Sequence, residues 1–207
     1  NNNTVGEANM KKTGSVERTM GIADLTIPVN FMAAEKTEVA DGHSVVLKWE
    51  ANDLKIESED IESYTFVILD LMSNELLKEV TTEPSITIDL SDEKFAKQAV
   101  LHYHVLVNGD KKLKSKEYAL TIVNEEKSLQ IKEDVASLSG DNSALNKMML
   151  AKYFEEKGLY ANAMYAYEEA VELSGNDEMY DNLYQAFLDR NYLKDKTRKK
   201  STKDTNK

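Results

Sequence analysis

Apolar and polar residues alternate with a period of two over most of the chain from Leu25 to Val123, and thereafter apolar residues recur at the three-to-four spacing of a helix. Leu25, Ile27, Val29 and Phe31 share one side of the first alternating run; Pro28, which has no N–H to donate, assigns that strand to a sheet edge. In residues 44–50, Val45, Leu47 and Trp49 form one face and Val46, Lys48 and Glu50 the other. In residues 64–71, Tyr64, Phe66 and Ile68 alternate with Thr65, Val67 and Leu69. A short polar strand over 75–80, Ile86, Ile88 and Leu90 pointing inward in 85–90, and Leu101, Tyr103, Val105 and Val107 in 101–107 continue the series. Residues 108–111 read as a hairpin turn into a last strand over 117–123. Seven strands with no long amphipathic helix between them predict an antiparallel sandwich.

Beyond Val123 the period becomes helical. Leu129, Ile131, Val135 and Leu138 mark a short helix that the breaker Gly140 closes, with Asn142 or Ser143 as the next N-cap. Further helices are expected over 144–157, stopped by Gly158, over 160–173, and over about 178–189. The fold class is therefore α+β: an antiparallel β-sandwich followed by a helical hairpin domain. The domains are a flexible leader over 1–23, the sandwich over 24–124, the helical module over 125–193 and a basic tail over 194–207.

Leu47 and Trp49 in the second strand, Tyr64 opening the third, and Leu90 followed by Tyr103 and Val105 resemble a fibronectin type III module, itself an immunoglobulin-like sandwich. The polar stretch 91–98 lengthens the link between Leu90 and Tyr103 relative to that family and is expected to form a helical turn. Residues 144–177 resemble a tetratricopeptide repeat. Leu150 and Ala151 fill its paired large and small sites, Phe154 its aromatic site and Gly158 its turn, while Ala163, Tyr167 and Ala170 fill the ladder of the second helix. Tyr180, Leu183, Tyr184 and Phe187 begin a second unit that the tail does not complete. The resemblance implies a groove lined by the first helix of each unit, which carries a partner-binding role to Met148, Lys152 and Glu155 and, from the partial unit, to Asp181 and Gln185. An incomplete repeat needs a neighbouring surface to finish its core, so its open edge also offers a route to a homo-oligomer.

Charge divides unevenly along the chain. Residues 194–207 hold seven Lys or Arg and two Asp, a net of +5, which leaves 19 basic and 35 acidic groups, a net of −16, in 1–193. An acidic body repels phosphate backbones and anionic lipid, which argues against nucleic acid as a partner. No apolar run approaches the roughly 20 residues of a spanning helix, so no membrane insertion is expected. With no Cys, disulfides, thiolate metal sites and cysteine nucleophiles are excluded. The polar opening over 1–7 together with the lack of Cys fits a mature protein of the bacterial periplasm or cell envelope, and equally a trimmed fragment.

His102 and His104, two apart in one strand, project from one face and have the spacing of a two-imidazole metal site, but no third ligand stands nearby in sequence. We read them as solvated or partner-facing. Val67, Leu69, Leu71 and Leu106 form an apolar stripe on the same outer face, and the helical module or residues 126–139 are the expected cover. Glycine-rich phosphate loops, the zinc-protease helix motif, the nucleophile elbow and the calcium loop are absent. The leading expectation is a non-enzymatic interaction or scaffold protein, without cofactor, that binds a partner peptide or helix through the helical module. The alternatives are a sandwich that binds glycan or metal, and an accessory domain of a larger enzyme.

Overall fold

The computed structural model describes residues 25–26, 36–51, 61–109, 113–138 and 140–191. The whole leader, most of the first expected strand and the basic tail lie outside these residues. The chain is α+β, with mixed and antiparallel sheets followed by four helices.

Strands β1 (Leu25–Thr26) and β4 (Glu50–Ala51) form a short antiparallel ladder, and β3 (Ser44–Lys48) pairs with β7 (Ser85–Asp89) in another. The larger sheet runs β2 (Lys36–Val39), β10 (Tyr118–Ile122), β8 (Val100–Gly109), β5 (Ile61–Leu69), β6 (Glu75–Thr81), with β9 (Leu113–Lys114) also beside β8. All of its ladders are antiparallel except β2 with β10, which is parallel. The link over 91–98 contains a single 3₁₀ turn, Glu93–Phe95, capped by the Asp92 carboxylate and anchored by buried Phe95.

Alternation places Tyr64, Phe66 and Ile68 of β5 and Leu101, Tyr103, Val105 and Val107 of β8 on one buried face. Trp49, which follows β3, meets Tyr64 edge-on at 5.4 Å between ring centres and stacks on Phe66 at 5.9 Å. Phe66 stacks on Tyr103 and Tyr103 on Tyr118, each at 5.6 Å. This aromatic row ties the end of β3 to three strands of the larger sheet, and each buried ring contributes about 1.5–3 kcal/mol.

Helix α1 (Glu125–Leu138) starts at Asn124, whose side-chain oxygen accepts the Lys127 N–H, and Glu125 and Glu126 in its first turn complement the helix dipole. Helix α2 (Ala144–Glu156) is capped by Ser143. It ends at Gly158, whose φ of 74° allows the Leu159 N–H to reach back to the Phe154 carbonyl. Helix α3 (Tyr160–Leu173) is closed the same way by Gly175, and helix α4 (Glu178–Arg190) is capped by Asp177.

Helix α3 occupies the centre of the helical region, against β3 and β2 on one side and α2 and α4 on others. Its small residues Ala161, Ala163, Ala166 and Ala170 permit this close approach, and all four are buried. Both faces of β3 are covered: Val46 is buried as Val45 and Leu47 are, because α3 lies over its side of the strand. The packing corrects one expectation. The helices therefore cover β3 rather than the stripe of Val67, Leu69, Leu71 and Leu106; of these Val67 is buried, Leu69 and Leu106 are half-buried, and Leu71, in the turn after β5, is 62% exposed.

Asn162 of α3 is fully buried and fastens the two regions. Its side-chain oxygen accepts the Ala40 N–H at 2.9 Å, and its amide donates to the Ser44 carbonyl at 3.2 Å. Lys48 of β3 pairs with Glu168 of α3, which also accepts the Tyr184 hydroxyl of α4 at 2.7 Å. The Lys48 ammonium lies 5.8 Å from the centre of the Tyr184 ring. On the α1 side, Lys127 pairs with Glu38 at 2.7 Å and Lys132 with Asp41 at 3.5 Å, above buried Ile131.

Candidate functional site: the outer faces of the helices

Tyr184 and Phe187 of α4 are buried as Ala151 and Phe154 of α2 are, 33 positions earlier. At that offset Met148 corresponds to Asp181 and Lys152 to Gln185, so each helix carries an i, i+4 pair on the same flank of its buried stripe. The residues differ in how freely they face solvent. Met148 is half-buried and packs on the core. Lys152 is exposed, with its ammonium 3.4 Å from a Glu155 oxygen and 3.9 Å from Glu156. Asp181 and Gln185 are half-buried and joined by a 3.4 Å hydrogen bond from the Gln185 amide.

Glu155 is turned into the structure. Its side chain is only 9% exposed, and it accepts Arg190 Nε and Nη2, each at 3.0 Å. It also accepts the Tyr167 hydroxyl at 3.0 Å and the Asn191 amide at 3.3 Å. The carboxylate thus clamps the C-terminal end of α4 to α2 and α3. Helical spacing alone places Glu155 on the outer face; its partners stand 12, 35 and 36 residues away, and no local pattern announces them.

Burial raises the Glu155 pKa, but the hydrogen bonds from Arg190 and Tyr167 and the Arg190 and Lys152 charges outweigh it, and the net shift is downward. A carboxylate held below its unfolded value contributes stability that is complete above the ordinary carboxylate range and is lost as pH falls through the folded value. Glu155→Gln is expected to cost about 1–2 kcal/mol at pH 7, less than a fully buried charge pair because Arg190 is half-exposed and screened. Urea unfolding of both proteins at pH 7 and at about pH 3.5 checks this: the gap between them narrows at the lower pH. An unchanged gap means that the clamp does not carry the charge-dependent stability.

Of the two histidines expected to be solvated or partner-facing, His102 is half-buried and His104 is buried, which corrects the expectation for His104. His102 Nδ1 lies 2.9 Å from Glu117 Oε1. His104 is buried beside Val67, and its Nδ1 has no hydrogen-bond partner. Burial pushes its pKa down, the Lys114 charge pushes the same way, and Glu117 opposes. Among the described residues no group of three or more His, Asp or Glu is placed to hold a metal ion.

The helical surface also carries apolar residues that periodicity alone assigns to packing. Leu145 and Met149 of α2 are 62% and 42% exposed, and Met179 and Leu183 of α4 are 57% and 43% exposed. No helix among the described residues is long and apolar enough to cross a membrane.

No protein-family model matches the chain, and neither does any curated protein.

Proposed function

We propose that the chain is a non-enzymatic interaction protein in which a fibronectin type III-like sandwich holds a tetratricopeptide-like helical module, and that a partner peptide or helix binds along the flank formed by α2 and α4. The strand order β2-β10-β8-β5-β6, with β3-β7 joined to it by the aromatic row from Trp49 to Tyr118, supports the sandwich. The matched burial of Ala151 and Phe154 with Tyr184 and Phe187, and the same glycine-closed turn after α2 and α3, support the repeat.

The observation that carries the reading is the position of α3. It is buried between the strands and the two helices that flank it, and Asn162 bonds it to the β2–β3 loop, so α2 and α4 are displayed from a fixed base. A pre-ordered base lowers the entropy cost of capturing an extended peptide or helix. The flank offers Met148 and Lys152 on α2 and Asp181 and Gln185 on α4, while Glu155 beneath it holds the two helices in register. A surface of this size gives affinities in the micromolar range rather than tighter ones.

Affinity capture from the source cells, with the intact chain beside Lys152→Glu and Gln185→Lys, tests the reading. A protein retained by the intact chain is expected to fall at least tenfold with each exchange, while circular dichroism shows the helix content unchanged. Equal capture by all three proteins contradicts a binding role for this flank.

A further inference from the structure

The loop between β2 and β3, residues 40–44, touches three helices at once. Asp41 reaches α1, where its carboxylate lies 3.5 Å from the Lys132 ammonium and accepts the Ser128 hydroxyl at 3.5 Å. His43 sets its ring against Phe154 of α2, with 5.4 Å between ring centres and the planes inclined at 68°. Ala40 and Ser44, at the two ends, are bonded to Asn162 of α3. Gly42 at the tip is exposed, and its φ of 70° turns the chain between Asp41 and His43. Five consecutive residues thus join the strands to α1, α2 and α3.

Histidine is the side chain whose ordinary titration falls between pH 5 and 8, so one of the three contacts is built on a group that changes charge there. The His43 ring is half-buried. The charges that act on it are Asp41 of its own loop and Lys132 of α1. Helix α2 presents the Phe154 ring, while Glu155 is turned to Arg190 and Lys157 to Asp134. Helix α3 presents the uncharged Asn162, and Lys48 at the far end of β3 is paired with Glu168. Burial disfavours the charged ring most, Asp41 favours it and Lys132 opposes it, and the net shift of the His43 pKa is downward. The Asp41 carboxylate is already shared between Lys132 and Ser128.

We propose that the β2–β3 loop is an acid-released latch between the strands and the helices, in which the neutral His43 ring holds the loop against α2 and its protonation frees it. A charged ring regains its water only by leaving Phe154. His43 is one residue from Ser44 and three from Ala40, so its withdrawal pulls on both bonds to Asn162. A histidine whose folded pKa is depressed favours the folded contact fully above the unfolded value of about 6.5, and that contribution is lost as pH falls below it.

Nuclear magnetic resonance of the isotope-labelled full chain, titrated from about pH 8 to about pH 5 at constant salt, tests the latch. The His43 ring is expected to titrate with a midpoint below about 6.5. Across that midpoint the protection of the Ala40 N–H against hydrogen exchange, corrected for the intrinsic rate, should fall at least fivefold, and the Asn162 side-chain amide signals should shift with it. His43→Phe and His43→Gln are neutral throughout, and either variant should hold the Ala40 protection constant over the range. Both retain His104, so loss of the transition in them assigns it to His43. His43→Lys, charged at neutral pH, should show the low protection already at about pH 8. A His43 midpoint at or above the ordinary value overturns the proposal. So does Ala40 protection that stays constant while His43 titrates, or the same fall in His43→Phe and His43→Gln, which assigns the change to other groups.

Discussion

Phe187→Ala lowers the unfolding free energy by about 3–5 kcal/mol, the cost of emptying a fully buried aromatic position. The ring stands 4.8 Å from that of Tyr167, 6.3 Å from Tyr184 and 6.4 Å from Tyr160, so its loss removes ring contacts to α3 as well as apolar burial. Helix α4 is fastened to α3 mainly by Phe187 and Tyr184, with the Arg190–Glu155 and Tyr184–Glu168 bonds at its flanks. Urea unfolding measures the total, and hydrogen exchange locates it: amides of α4 should lose protection before those of β5 and β8. A loss below about 1 kcal/mol means that α4 is not held by this cluster.

Asn162→Leu is the second large effect, on the order of 3 kcal/mol. Leucine has the same branched arrangement of heavy atoms as asparagine, so no packing is lost. What is lost is the acceptor for the Ala40 N–H and the donor to the Ser44 carbonyl, and buried backbone groups left without partners cost about 1–3 kcal/mol each. Because the two bonds join the β2–β3 loop to α3, the variant should also separate the unfolding of the helices from that of the strands. Tyrosine fluorescence, weighted to α2–α4, and the fluorescence of Trp49 beside β3 should then report different midpoints, where the intact chain gives one. Coincident midpoints together with a loss under 1 kcal/mol contradict the role assigned to Asn162.

The helices of this chain were legible because they announce themselves locally. Ser143, Gly158 and Gly175 mark ends that backbone physics enforces, and α2 and α3 lie within a residue of the spans expected from apolar spacing. Strand β2 was not legible. Its four residues, Lys36 to Val39, show no apolar alternation, and they form a strand through pairing with β10, more than 80 positions away. The same distinction explains Val46, whose face was chosen by alternation but whose burial is imposed by α3.

At the candidate site, i, i+4 spacing was enough to place Lys152 with Met148 and Gln185 with Asp181 on their helices. The same geometry could not reveal that Glu155 is drawn inward by Arg190 and Asn191, because those partners arrive only when α4 packs. Asn162 is the sharpest case. In an alanine-rich helix it reads as an ordinary polar residue, and its importance depends entirely on the Ala40–Ser44 loop brought against it.

In the proposed function α2 and α4 present a binding surface while the strands serve as its base. Photo-crosslinking in the source cells tests this most directly, with a benzoylphenylalanine introduced singly at Lys152, at Gln185 and at Thr87, an exposed position on β7. One shared adduct of the same mass is expected from positions 152 and 185 and none from position 87. An adduct from position 87 with none from the two helix positions would contradict it.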